Sequence, residues 1–127
     1  MSDIRVDTIS AANGTDPVTL TKQSAAKAWV VYNQQNNDLK SSFNVSSQSD
    51  DATGRATTTF STSFATADDY CIQGTCFDGA GANDERNFNQ DSGTDTYTAS
   101  AVKYYCWDGA ALNDPDRFFV TFHGDLA

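Results

Sequence analysis

Histidine is almost absent from this sequence, and the motifs of common nucleophilic enzymes are missing. His123 is the only histidine among 127 residues, so a Ser-His-Asp or Cys-His site would have to be built around it. No GxSxG, Walker or GxGxxG motif accompanies it, and no feature singles out two carboxylates for glycoside hydrolysis. We therefore predict that the protein is not an enzyme and binds no cofactor.

Cysteine is scarce as well, and its spacing does not predict a metal site. Cys71, Cys76 and Cys106 form no CxxC pair, and zinc would need closer spacing and more histidine. Cys76 and Cys106 hold equivalent places in a repeated segment, so they could face each other across strands. Buried free thiols are the favoured interpretation. A disulfide is the alternative if the mature protein works outside a cell.

Basic residues are few, which bears on the kind of partner. Eight Lys and Arg stand against 17 acidic residues, for a formal net charge of −9. Because phosphate contacts need Lys and Arg, this balance argues against binding DNA or RNA. All acidic residues except Glu85 are aspartates, which favour turns and strand ends over helices.

Long apolar runs are also missing. No stretch approaches the roughly 20 apolar residues of a membrane span, so we predict no membrane insertion. The first ten residues, MSDIRVDTIS, lack the apolar core of a signal peptide. We expect synthesis in a cytoplasm and export by a route other than a signal peptide.

The clearest positive feature is a repeat. Residues 76–88 read CFDGAGANDERNF and residues 106–118 read CWDGAALNDPDRF, which predicts two hairpin-like corners of the same construction, with both acidic loops at one end. Asp-Gly and Asn-Asp are typical turn formers. Calcium also prefers such oxygen-rich loops, although neither copy has the ligand spacing of an EF-hand. Turn chemistry is the favoured interpretation, with calcium as the alternative and no metal assigned.

Short alternating segments predict the fold. Strand-like runs at 28–32, 41–47, 55–61, 70–77, 96–107 and 117–123 are separated by polar loops, among them 33–38 and 78–95. Gly74 predicts a bulge. We predict an all-β protein whose residues 22–127 form an antiparallel, jelly-roll-like β-sandwich. In residues 1–21 a few apolar residues stand among polar ones, which predicts an extended attachment arm. The arm is expected to dock through its apolar side chains: Ile4, Val6, Ile9, Val18 and Leu20.

Aromatic side chains fall on both faces of the last two predicted strands. A sheet with one buried face would alternate cleanly between apolar and polar residues. The chain therefore has either a two-sided core within the monomer or a face that packs against another subunit. The residues predicted to pack between subunits are Trp29, Tyr105, Trp107 and Phe119.

Several segments together resemble a known family. QSAAKAWVVYN, SSFNVSSQSDDATGRATTTFSTSF and DDYCIQG are similar to tail-fibre-type structural proteins of tailed bacteriophages, especially marine ones. The N-terminal IRVDTIS and NGTDPVTLT resemble their attachment segment, and the closing FHGDLA resembles their final strand. The resemblance covers nearly the whole chain and implies a homotrimeric virion protein displayed on the particle.

This resemblance leads to a functional expectation with alternatives. We expect a short trimeric tail-fibre-like module for attachment or host contact, with other virion proteins and host surface glycan as partners. The alternative is a capsid decoration protein that stabilises the shell. A carbohydrate-binding module and a sugar-cleaving spike are further alternatives. The residues predicted to face a receptor lie in the two repeated loops: Asp78, Asn83, Asp84, Asp108, Asn113 and Asp114.

Overall fold

The computed structural model describes residues 25–79, 86–93 and 97–127, and these form an antiparallel β-sandwich. The predicted arm and its five apolar residues lie outside the described residues. Ala67–Asp69 form a short 3-10 helix, and nowhere in the described ranges is there a helix long and apolar enough to span a membrane. The all-β prediction is confirmed. The strands are β1 (Ala28–Asn33), β2 (Asp38–Phe43), β3 (Val45–Ala52), β4 (Arg55–Phe60), β5 (Tyr70–Phe77), β6 (Asn87–Gln90), β7 (Ala101–Trp107) and β8 (Arg117–Gly124).

The eight strands form two four-stranded sheets. The first sheet has the order β2-β1-β8-β5 and the second has the order β3-β4-β7-β6. A jelly roll is built from two Greek keys, whose strands mostly alternate between the sheets. Here β1 and β2, β3 and β4, and β6 and β7 are neighbours within one sheet. The predicted sandwich is confirmed, but its jelly-roll-like connectivity is wrong, because three pairs of consecutive strands form hairpins within one sheet.

Alternation along the central strands explains which residues enter the core. In β1, Val30 and Tyr32 are buried while Trp29 and Val31 point to the outer face of the first sheet. β8 follows the same rule, with Phe119 exposed between buried neighbours. The predicted face assignments of β7 and β8 are confirmed. The inward residues of these two strands are Val102, Tyr104, Cys106, Phe118, Val120 and Phe122.

Tyr104 lies at the centre of the core, and polar partners satisfy its hydroxyl group. The hydroxyl is 3.0 Å from Thr58 Oγ1 and donates to Gln48 Oε1 over 3.2 Å. Burial raises the pKa of this tyrosine, although the two hydrogen bonds lower it. Its ring packs edge-on against Phe118 with centroids 5.0 Å apart. The core is therefore aromatic but fixed by one buried polar network.

Gly74 does not form the predicted bulge. β5 pairs with β8 in unbroken register from Tyr70 to Phe77. A Cβ atom on Gly74 would lie 2.8 Å from the Phe88 ring of the opposite sheet. The glycine is therefore used for close packing between the sheets rather than for a local distortion of the strand.

Candidate functional site

The two copies of the repeat pair with each other, so that the start of each copy lies beside the end of the other. The first copy runs from the end of β5 to β6, and the second runs from the end of β7 to β8. Cys76 of the first copy is the cross-strand neighbour of Phe118 of the second. Conversely, Phe88 of the first copy is the neighbour of Cys106 of the second. Each copy thus crosses between the sheets, and the predicted hairpin-like corners are wrong.

Equivalent residues of the two copies also meet across the sandwich. Phe88 and Phe118 pack edge-on with ring centroids 6.3 Å apart. Cys76 and Cys106 both point into the core beside these rings, and each thiol lies near enough to shift the pKa of the other. This confirms that the two cysteines face each other. The repeat therefore builds one paired unit at one end of the sandwich, which we call the repeat end (residues 76–79, 86–88 and 106–118).

Arg86 joins the equivalent aspartates of the two copies. Its Nη2 donates to Asp78 Oδ2, and its Nη1 lies 3.6 Å from Asp108 Oδ2. Only 6 % of the Arg86 side chain is exposed, so both carboxylates lie beside a largely buried cation. Sequence reasoning missed Arg86. The available signal was an arginine near the closing phenylalanine of each copy: Arg86 is two residues before Phe88, and Arg117 directly precedes Phe118.

The loop of the second copy is closed by its own aspartate. Asp108 Oδ1 accepts hydrogen bonds from the backbone amides of Ala110 and Ala111 over 2.9 and 2.7 Å. The amides of Ala111 and Ala110 lower the pKa of Asp108 because they stabilise its charged form. Gly109 has a positive φ of 94°, as the Asp-Gly turn predicts, whereas Gly79 of the first copy does not.

The other predicted loop residues also contact the protein itself. Asn113 donates its backbone amide to Cys106 over 3.2 Å, and Asp114 Oδ1 accepts from the Gly54 amide. Asn83 and Asp84 lie outside the described residues. Within the described ranges, no three His, Cys, Asp or Glu side chains are placed to hold a metal ion. In the described part of the chain, the predicted receptor-facing side chains all contribute to the architecture of the repeat end.

Gln34 joins the neighbouring turns to the repeat end through hydrogen bonds. The sequence did not predict this role. Gln34 is 2 % exposed, and its Nε2 donates to the carbonyl groups of Ala52 and Arg55 over 3.0 and 2.9 Å. Its backbone amide is 3.3 Å from the Pro115 carbonyl. The turn after β1, the turn after β3 and the loop after β7 therefore meet at the repeat end.

A second candidate surface is the outer face of the first sheet. Trp29, Val31 and Phe119 line a groove of about 340 Å³ there, together with Gln73, Thr75 and Thr121. Val31 is directly opposite Phe119, and Trp29 is opposite Phe43. Phe43 and Phe119 are 55 % and 45 % exposed. We call this surface the apolar face (Trp29, Val31, Phe43 and Phe119).

The other two aromatic residues predicted to pack between subunits lie on the opposite sheet. Tyr105 and Trp107 are on the outer side of β7. The Arg55 guanidinium lies 5.9 Å from the Tyr105 ring centroid and forms an ion pair with Asp91. The predicted set therefore divides into two pairs on opposite outer faces, and the four residues do not form one surface.

All three cysteines are free, and they differ in exposure. Cys106 is buried, Cys76 is partly buried and Cys71 is exposed on β5. The prediction of free thiols is confirmed, but the prediction that they are buried is wrong for Cys71. In β5 its side chain alternates to the outer side of the sheet.

Comparison with known proteins identifies no relative. No protein-family model matches this chain, and no curated protein or solved structure matches it. The contacts of the repeat end and of the apolar face therefore carry the functional interpretation.

We expect Asp108 to control the second loop in a pH-dependent way. Because its pKa is lowered in the folded state, its contribution to loop stability is present above the ordinary aspartate value of about 3.9 and is lost as the pH falls through the lower folded value. The amide proton shifts of Ala110 and Ala111 should titrate together below about pH 3.9 in NMR spectra. The Asp108→Asn variant should lose this titration. Titration at or above the ordinary value would contradict the expectation.

Proposed function

We propose that this chain is a non-enzymatic structural protein of a bacteriophage virion, which trimerises through the apolar face. Two lines of support combine here: the sequence resemblance to tail-fibre-type proteins and the apolar face itself. The apolar face is the observation that carries the proposal.

The contrast between the two sheets supports this use. In the second sheet, β4 presents Arg55, Thr57 and Thr59 outward. The neighbouring β7 presents Lys103 beside Tyr105 and Trp107, so this outer surface mixes charged and polar side chains with aromatic ones. The corresponding central strands of the first sheet present Trp29, Val31 and Phe119. Contiguous exposed apolar patches on soluble domains commonly mark interaction surfaces. The first sheet is therefore the proposed subunit interface.

In this proposal the remaining parts of the chain have separate tasks. Residues 1–21 attach the module to other virion proteins. The repeat end is displayed outward and contacts host surface glycan through the backbone and side chains of the second loop. A tail location is the primary proposal. A capsid decoration protein would use the same trimer and the same arm at the shell.

Oligomeric state tests the interface directly. We expect the full-length protein to sediment as a trimer at micromolar concentration, and Phe119→Thr to shift the equilibrium towards monomer. The loss of one such apolar side chain costs about 2 kcal/mol, or roughly thirtyfold in the dissociation constant. Threonine retains a high strand propensity, so circular dichroism should show an unchanged fold.

Trp107→Thr is the matched control for that experiment. Trp107 is 37 % exposed on the other sheet, so its loss should leave the trimer intact. If Trp107→Thr dissociates the protein and Phe119→Thr does not, the second sheet is the interface. A wild-type protein that remains monomeric at high micromolar concentration would overturn the trimer.

Location on the particle tests the virion role. Gold-labelled antibody against the chain should mark the tail in electron micrographs of intact virions. Label over the head would replace the tail assignment with capsid decoration. The absence of label on purified particles would contradict both the tail and the capsid proposals. Turnover of host polysaccharide by the purified protein, lost on single aspartate substitutions, would instead establish an enzyme.

A further inference from the structure

Cys76 and Cys106 form a thiol pair that bridges the two sheets. Cys76 belongs to β5 of the first sheet and Cys106 to β7 of the second. Both point into the sandwich, where Cys106 is fully buried and Cys76 packs against the same core cluster. The cross-strand neighbours of the two cysteines, Phe118 and Phe88, pack against each other with ring centroids 6.3 Å apart, and each thiol shifts the pKa of the other.

Next to this pair, an aromatic ring of one sheet packs directly on the backbone of the other. Phe88 is the cross-strand neighbour of Cys106, and Gly74 lies two residues before Cys76 on the same side of β5. A Cβ atom on Gly74 would meet the Phe88 ring at 2.8 Å. The absence of a side chain at Gly74 therefore leaves room for the Phe88 ring beside the two cysteines.

Arg86 supplies a chemical reason for reactivity. The hydrogen bond from one thiol to the other, together with burial, raises the pKa of Cys76, and the same hydrogen bond lowers the pKa of Cys106. The Arg86 guanidinium favours thiolate over thiol, so it adds to the lowering of the Cys106 pKa and partly offsets the raised pKa of Cys76. A thiolate is the nucleophile in oxidation and disulfide formation.

We propose that Cys76 and Cys106 are a redox modification site: oxidation joins them in a disulfide that ties the two copies of the repeat together across the sandwich. The proposal stands independently of the virion role, because it rests on the packing within one chain. In this proposal, the cysteine that opens each repeat copy forms a disulfide at the base of the acidic loops.

Hydrogen peroxide is small enough to serve as the oxidant at a partly buried pair. One thiolate attacks the peroxide and breaks its O–O bond, which yields a sulfenic acid and hydroxide. The second sulfur then attacks the sulfenic sulfur, and the hydroxyl group leaves as water after protonation. In total, two thiols and one peroxide give one disulfide and two water molecules.

The test uses the full chain with Cys71→Ser, which removes the exposed thiol and leaves only the pair. After mild peroxide treatment we expect the free thiols of the unfolded protein to fall from two to none, with a mass loss of two hydrogens and no covalent dimer. A cross-link between residues 30 positions apart (106 − 76) restricts the unfolded chain, so the thermal midpoint should rise by on the order of 10 °C. Dithiothreitol should reverse both changes.

The double variant Cys71→Ser, Cys76→Ser is the control. It retains only Cys106, which is buried, so peroxide should not raise its thermal midpoint. Two outcomes would overturn the proposal. One is retention of both thiols under conditions that oxidise Cys71 in the wild-type protein. The other is a gain of oxygen atoms in place of the loss of hydrogens, which would show that the sulfurs cannot reach bonding distance.

Discussion

Replacing Gly54 with alanine is expected to lower the free energy of unfolding by about 3 kcal/mol, through left-handed strain and a backbone clash. Gly54 has a φ of 67°. A Cβ atom there would lie 2.7 Å from the backbone nitrogen of Asn113 and 2.9 Å from the carbonyl oxygen of Cys106. Both atoms belong to the repeat end and cannot move without disturbing the second loop. Urea denaturation measures the loss.

Besides lowering the free energy of unfolding, Gly54→Ala should change the local structure of the second loop. The Gly54 amide donates to Asp114, and its carbonyl group accepts from the Cys106 amide over 2.8 Å. A displaced Gly54 therefore loosens the turn after β3 and the second loop together. The amide signals of Asn113 and Asp114 should broaden or shift in NMR spectra of the variant, while those of the opposite end remain unchanged.

Gly109→Ala is the matched control for Gly54→Ala. Gly109 also has a positive φ, 94°, but among the described residues no heavy atom beyond its own and those of its two chain neighbours lies within 4 Å of the position of its missing Cβ. Only backbone strain applies, so the expected loss is about 1 kcal/mol. Equal losses for the two variants would show that the approach of Gly54 to the second loop contributes nothing.

Replacing Arg86 with methionine is the second change with a large expected effect. The guanidinium is largely buried and pairs with Asp78, and breaking such a pair typically costs about 3 kcal/mol because a charge remains without compensation. Asp108 faces the same position, so the variant leaves two carboxylates near each other. Methionine has a similar volume and limits any cavity. The loss is measured by denaturation at pH 7.

The pH dependence separates this electrostatic origin from a packing defect. Without Arg86, protonation of one carboxylate removes the repulsion, so the stability difference from wild type should shrink as the pH falls from 7 to 4. Combining Arg86→Met with Asp78→Asn and Asp108→Asn should recover much of the loss at pH 7. A difference that is constant with pH, or no recovery in the triple variant, would indicate lost packing alone.

Local patterns predicted the strong strands well. β5 begins and ends at the predicted residues, and β8 extends only one residue further, to Gly124. In β8, Phe118, Val120 and Phe122 alternate with outward residues, so the buried face was evident from the period of two. The same rule placed Phe119 outside, although it could not tell what would cover it.

Two edge strands were not predicted as separate strands. The predicted strand 41–47 joins the second half of β2 to the start of β3, and β6 lies inside the predicted loop 78–95. β6 reads NFNQ, in which Phe88 is the one apolar residue. Both are sheet edges, where hydrogen bonds to one neighbour are enough to hold a short polar strand. Their existence depends on β1 and β7 being in place.

The repeat is the clearest example of a feature whose local structure the sequence predicts but whose long-range pairing it does not. Composition and alternation by themselves determined an all-β chain with turns rich in aspartate, and the duplicated CxDGA segment determined that two corners are related. Only the tertiary structure decided that each copy pairs with the other, that the thiols of Cys76 and Cys106 meet, and that Arg86 lies between Asp78 and Asp108. The physical reason is that periodicity is a local property of consecutive residues. Strand pairing and ion pairing instead depend on which distant segments the folded core brings together.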